Sequence, residues 1–203
     1  MTIQIKISRK LVSYKAAFSF LRKRVELVKK SKSRELIWIL EHPLTFTGGV
    51  RSVESEILDK EIHIVKTNRG GKITVHSPGQ KIVYFVFNLN NRKKDIKNLI
   101  KQIELTIINF LKLYKIKGRA DKKNIGIWVK NKKIAAIGIR VSSWVAYHGF
   151  SININNNLNY YKKIIPCGLD NTKVTSIKAE RKKQILNVER ELKDVFLKRL
   201  KNI

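Results

Sequence analysis

Five apolar runs, at 35–40, 82–87, 125–129, 134–139 and 144–154, restrict how this chain can fold more than any other feature. The first four have strand length and are too short for stable helices, so they read as buried strands. The run at 35–40 contains Trp38 and ends at Glu41-His42-Pro43. Lys130-Asn131-Lys132-Lys133 separates the third run from the fourth as a hairpin turn would, and 144–154 continues as a further strand. The middle of the chain therefore predicts an antiparallel meander.

Three amphipathic stretches accompany the strands. Tyr14, Ala17, Phe18, Leu21, Val25 and Val28 follow three- and four-residue spacing across 12–28, which predicts a helix. Asp95 is placed to N-cap a second helix whose apolar face carries Ile96, Leu99, Ile100, Ile103, Ile107, Phe110, Leu111 and Tyr114. Val174-Thr175-Ser176-Ile177 leads into the last helix, with Ile185, Val188, Leu192, Val195, Phe196 and Leu200 on one face and lysine and arginine on the other. The class expected is α/β, of the α+β type: a mixed, largely antiparallel sheet packed by helices. No repeat or Pro/Ser-rich linker interrupts the pattern, so residues 1–203 read as a single domain.

No window approaches the run of about 18 apolar residues that a membrane span needs. Residues 1–10 alternate polar and apolar side chains without a secretory core, and a soluble, cytoplasmic protein with no membrane partner is expected. The single cysteine cannot form an internal disulfide, and His42, His63, His76 and His148 lie far apart without metal-ligand spacing, so neither a disulfide framework nor a metal site is indicated. The formal net charge of +29 points toward nucleic acid, an anionic surface or acidic proteins. However, 32 of the 44 basic residues are lysine, and they are spread along the chain with no arginine-rich arm or nucleic-acid-binding signature. A basic nucleic-acid-binding protein thus stands only as an alternative, and the expectation is no nucleic-acid partner.

Several positions bear on chemistry. Cys167 sits between Pro166 and Gly168, where proline fixes the preceding backbone and glycine permits an unusual dihedral or a close approach. That setting suits a presented thiol, although a lone cysteine is more often a buried core residue. Thr45-Phe46-Thr47-Gly48-Gly49 reads as a turn. The stretch 68–80 packs three glycines, Arg69, His76 and Pro78 into thirteen positions. It is suited either to holding an acyl or phosphate-bearing group with backbone N–H donors and a guanidinium, or to forming a solvated hairpin. It is not a Walker loop, because Gly71-Lys72 is followed by Ile73. Lys133 beside its turn is unremarkable by spacing alone. Gly149 within a strand pattern marks a bulge or a close backbone approach, and His148 reads as a hydrogen-bonded core residue.

Together these blocks resemble the octanoyltransferases of lipoate biosynthesis. The match is carried by Arg69-Gly70-Gly71 with Thr74, His76 and Pro78-Gly79-Gln80; by Lys133-Ile134-Ala135-Ala136-Ile137-Gly138-Ile139-Arg140; by Tyr147-His148-Gly149-Phe150; and by Pro166-Cys167-Gly168 with Val174-Thr175-Ser176. The resemblance implies a fold like the catalytic domain of biotin and lipoate protein ligases. It also implies transfer of an octanoyl group from octanoyl-acyl carrier protein to a specific lysine of lipoyl domains, as in 2-oxoacid dehydrogenase complexes. The intermediate is an acyl-thioester on the family's cysteine, which here corresponds to Cys167, with Lys133 as the matching lysine that lowers the thiol pKa. A free thiol has a pKa of about 8.5, and a neighbouring ammonium stabilises its thiolate.

By the same resemblance, the acyl group is held by Arg69, Gly70, Gly71, Lys72, Ile73, Thr74, Val75 and His76, by Ala136, Ile137 and Gly138, and by Gly149, Phe150 and Ser151. No cofactor, metal or ATP is implied. Two positions depart from the pattern, since the family usually has tyrosine and glycine where this chain has Val75 and Ser77. Ser77 precedes a proline and is expected to sit in extended backbone that serine tolerates. Val75 removes a phenol from the slot and bears on chain-length preference. An ATP-dependent lipoate-protein ligase on the same fold is the enzyme alternative; it needs no cysteine nucleophile.

Overall fold

The structure is a computed structural model that describes residues 3–121, 124–166, 173–181 and 187–203. In chain order the elements are β1 (Ile3–Ile7), α1 (Tyr14–Lys29), β2 (Glu35–Leu40), β3 (Thr45–Gly48), β4 (Ile64–Lys66), β5 (Ile73–His76), β6 (Gln80–Asn88), α2 (Ile96–Leu113), β7 (Arg119–Ala120), β8 (Ile127–Val129), β9 (Lys132–Ser142), β10 (Val145–Asn153), β11 (Lys173–Val174), α3 (Ile177–Glu180) and α4 (Val188–Leu200). Short 3-10 turns occupy Glu54–Glu56, Leu89–Asn91 and Leu158–Lys163.

The main sheet runs β1-β2-β6-β10-β9-β8-β7, with β11 beside β9. Its pairings are antiparallel except for β1 with β2 and β11 with β9. Alternation along the central strands explains why they read as continuous apolar runs. Leu36, Trp38, Leu40, Ile82, Tyr84 and Val86 face α1 and its buried Ala17, Leu21, Val25 and Val28. The intervening Ile37, Ile39, Val83, Phe85 and Phe87 face α2 and α4 on the other side. Strands covered on both faces leave no polar face to mark the period.

Caps fix where the helices begin. The Ser13 side chain accepts from the Ala16 amide at the start of α1, and Asp95 accepts from the Asn98 amide at the start of α2. Buried Leu99, Ile103, Ile107, Phe110 and Leu111 of α2 pack with Val188, Leu192, Phe196 and Leu200 of α4 on one face of the sheet.

A smaller sheet, β4-β3-β5, stands against the end of this sandwich over its own cluster of Phe46, Ile73, Val75, Tyr161 and Ile164. Here the structure differs from the expected turn at residues 45–49. Thr45–Gly48 is a strand, paired with β5 from Thr45↔His76 to Gly48↔Ile73. Among the described residues, no helix is long and apolar enough to cross a membrane.

Candidate active site

Gly-rich residues 68–72 lie across β9, and several contacts hold them there. The Gly70 amide donates to the Ile139 carbonyl at 3.2 Å, and Arg140 donates to the Asn68 carbonyl at 3.1 Å. A Cβ on Gly70 would sit 2.9 Å from that same Ile139 oxygen, so only glycine permits the approach. On the opposite side, the amides of Val50 and Arg51 donate to the carbonyls of Arg69 and Gly71.

Arg69 braces this loop. Its guanidinium donates to the Thr47 carbonyl at 2.8 Å, to Thr47 Oγ1 at 2.9 Å and to the Gly70 carbonyl at 3.1 Å. Lys72 turns to Glu56, which is buried, with Nζ 2.7 Å from Oε1.

Between this loop, β5 and the strands β9 and β10 lies a cleft of about 470 Å³, within the range of small-molecule sites. Arg69, Gly70, Gly71, Lys72, Ile73, Thr74 and His76 line one side; Lys133, Ala136, Ile137 and Gly138 of β9 and Gly149, Phe150 and Ser151 of β10 line the other. Three separate sequence blocks thus meet around one space.

Val75 does not join them. The alternation of β5 sends it into the small-sheet cluster beside Phe46 and Tyr161, so the tyrosine-to-valine departure acts on that cluster and the expectation that it reshapes the slot is corrected. Ser77 is buried and takes no positive φ, so its backbone suits serine.

Lys133 is 6% exposed, with Nζ 5.5 Å from the centre of the Trp128 ring. Gly126 makes room for its stem, since a Cβ there would lie 2.5 Å from Lys133 Cε. Cys167 lies outside the described residues. Pro166 shares a small crevice with Lys133, Thr74 and Val174, and β11 pairs in parallel with β9 at Val174↔Lys133.

Burial lowers the pKa of His42, His76 and His148. Burial is the largest influence on His76, followed by its nearness to His42, which disfavours a second proton there, and its pKa falls to about 3. Burial, then Arg69 and Arg140, brings His148 to about 3 as well. Each has a defined tautomer. His76 Nδ1 faces Gln80 Oε1 at 2.7 Å, and that amide oxygen can only accept, so Nδ1 carries the proton. His148 Nε2 donates to Asn68 Oδ1 at 2.7 Å, while Asn68 Nδ2 donates to the Tyr147 hydroxyl. His42 donates from Nδ1 to the Val12 carbonyl and accepts from Tyr84 at Nε2.

Tyr14 and Tyr84 also line the cleft, and the sequence reading of function did not single them out. Tyr14 falls on the apolar face of α1, where its spacing carries no sign of a site. Tyr84 is a phenol inside a run otherwise made of Ile, Val and Phe, and that interruption was the available signal. Among the described residues, no three His, Cys, Asp or Glu side chains gather into a set able to hold a metal ion.

This fold and cleft define a catalytic domain of the lipoyl protein ligase A/B class, and residues 13–201 match the family described as Lipoyl protein ligase A/B catalytic domain. Similar relatives named Octanoyltransferase include one from Wolbachia sp. subsp. Brugia malayi, 44% identical over 85% of this chain and 86% of its own length. Another, from Anaplasma marginale, is 38% identical over 86% and 85%. The chain belongs to the octanoyltransferase family and is an acyltransferase.

Solved structures agree on the fold. Lipoate-protein ligase A bound with ATP superposes with a TM-score of 0.76 at 14% identity, covering 97% of this chain and 85% of that one. The bi-partite lipoate protein ligase of Thermoplasma acidophilum gives 0.76 at 14% identity, covering 99% and 84%.

Proposed function

We propose that this acyltransferase moves an octanoyl group from octanoyl-acyl carrier protein to a lysine of a lipoyl domain through a thioester on Cys167. The observation that carries the reading is the position of Lys133, buried at the cleft wall, paired with Val174 after the Cys167 segment and lining one crevice with Pro166 before it. The relatives named Octanoyltransferase support the same chemistry.

The Cys167 thiolate attacks the donor's thioester carbonyl, a carbon–sulfur bond to the carrier breaks, and the carrier thiolate takes up a proton. The acceptor lysine's neutral amine then attacks the Cys167 thioester, forming the amide and returning the thiol. The Lys133 ammonium stabilises the attacking thiolate. The first exchange is nearly balanced and the second is downhill, so neither step calls for ATP. Ile137 and Phe150 give the cleft apolar wall for the acyl tail, and each buried methylene contributes about 0.8 kcal/mol.

The test is the mass of an isolated lipoyl domain after incubation with this protein and octanoyl-acyl carrier protein in the absence of nucleotide. A gain of one octanoyl group supports the proposal. Modification only when ATP and free octanoate are supplied would replace it with the ligase reading.

A further inference from the structure

We infer that Asn153 is a positioning residue for the transfer site, tying the chain after β11, which bonds Lys133, to Gln80 and the His76 side of the cleft. The inference rests on the acyl-transfer reading above and extends it to a residue outside the cleft lining.

Asn153 ends β10 and is 4% exposed. Its Nδ2 donates to the Thr175 carbonyl at 3.0 Å. Its Oδ1 accepts from Gln80 Nε2 at 2.9 Å, from the Tyr161 hydroxyl at 3.2 Å and from Asn156 Nδ2 at 3.3 Å. One side chain therefore ties to two different parts of the site.

Through Thr175 it reaches the chain beyond β11. Thr175 is buried, its amide donates to the Lys133 carbonyl at 2.9 Å, and its hydroxyl donates to Glu180 at 2.6 Å. Amide, carbonyl and hydroxyl of this one residue are thus all engaged. Through Gln80, Asn153 reaches the cleft wall. Gln80 Nε2 faces the Val75 carbonyl and the Tyr161 hydroxyl as well as Asn153, which leaves Oε1 to face His76 Nδ1. The same amide chain that seats Thr175 against Lys133 thus sets which nitrogen of His76 bears hydrogen.

Asn153 also lines the crevice that Lys133, Thr74, Pro166 and Val174 share. The amide suits this place. It must donate in one direction and accept in the other, which no carboxylate or apolar side chain does.

The experiment uses the full chain with Asn153→Leu and Asn153→Ser, and with Gln80→Met as the contrast that leaves the bond to Thr175 in place. Amide hydrogen exchange is read at Thr175 and across β2 and β6, and octanoyl transfer is read as a single-turnover rate alongside KM for the lipoyl domain. A displacement of about 1 Å in a catalytic constellation can lower a rate by about a hundredfold. In the Asn153 variants, Thr175 should exchange at least about tenfold faster while β2 and β6 keep their protection. Transfer should fall between about tenfold and a hundredfold, with KM within about twofold. Gln80→Met should leave Thr175 protected.

Thr175 protection unchanged in a folded Asn153 variant overturns the inference, and so does lost protection with wild-type transfer. If the leucine variant does not fold, the serine variant decides. A wild-type chain that transfers no octanoyl overturns the acyl-transfer reading instead, and exchange at Thr175 still decides the geometric claim.

Discussion

Gly149 meets Val83 across the β10–β6 ladder with no space for a side chain. A Cβ on Gly149 would lie 1.9 Å from the Val83 carbonyl oxygen and 3.0 Å from its carbon. Both atoms are backbone and cannot turn aside. His148, one residue before, has φ of 68°, an unusual conformation for a strand interior. The centre of the main sheet thus depends on a glycine at the cleft wall. Gly149→Ala is predicted to lower unfolding free energy by at least about 2 kcal/mol, as overpacking of a rigid site does. Urea denaturation checks this, and a change within about 0.5 kcal/mol would contradict it.

Gly126 tests Lys133 without touching it. Gly126 has φ of 144°, and a methyl there would crowd Lys133 Cε at 2.5 Å and the Ala135 carbonyl oxygen at 2.6 Å. Gly126→Ala should push the lysine stem from its place and slow transfer by about tenfold or more, on the sensitivity of catalytic geometry to small displacements. Wild-type turnover in this variant would show that the position of the ammonium does not matter.

Arg69→Lys removes the fork that bonds the Thr47 carbonyl, Thr47 Oγ1 and the Gly70 carbonyl. A lysine keeps the charge but not the planar geometry. The loop over the cleft should loosen, and the donor KM should rise by about tenfold while the lysine variant still folds. Steady-state kinetics read this directly; an unchanged KM would mean that the loop holds without its brace.

Stability should fall on mild acidification. His76 and His148 have folded pKa values of about 3, and burial lowers His42 too. In the unfolded chain a histidine titrates near 6.5. As pH drops below that value the unfolded state binds protons that the folded state refuses, so folding free energy is lost. The stabilisation is complete above about pH 7 and shrinks by roughly 2 kcal/mol for each of His76 and His148 between pH 7 and 5. Thermal melts across that interval should show a falling Tm, and His148→Gln should flatten the curve.

The long elements were legible because their periods are set by burial. The helix faces spaced from Tyr14 to Val28 and from Leu99 to Leu111, the Asp95 cap, and the runs of the central strands all appear where the apolar pattern puts them. The hairpin around Lys130-Asn131 and the third strand of the meander follow too.

The short strands were harder to read. Ile3, Ile5 and Ile7 alternate as an edge strand should, yet the pattern is too brief to mark a strand by itself. β3, β4 and β5 are three or four residues long, and only their mutual pairing distinguishes them from loop. The wrong side assigned to Val75 has the same origin, since without the strand there is no alternation to tell its face from that of Thr74 and His76. The cleft lining came from motif resemblance, and the Asn153 network, being made of side chains distant in sequence, left no local trace.

The most direct test of the account is the intact mass of the purified protein after incubation with octanoyl-acyl carrier protein, measured beside Cys167→Ala. The wild-type chain should gain one octanoyl group, removable by hydroxylamine, and the variant none. An adduct that persists in Cys167→Ala, or octanoyl reaching the lipoyl domain at the wild-type rate in that variant, would contradict it.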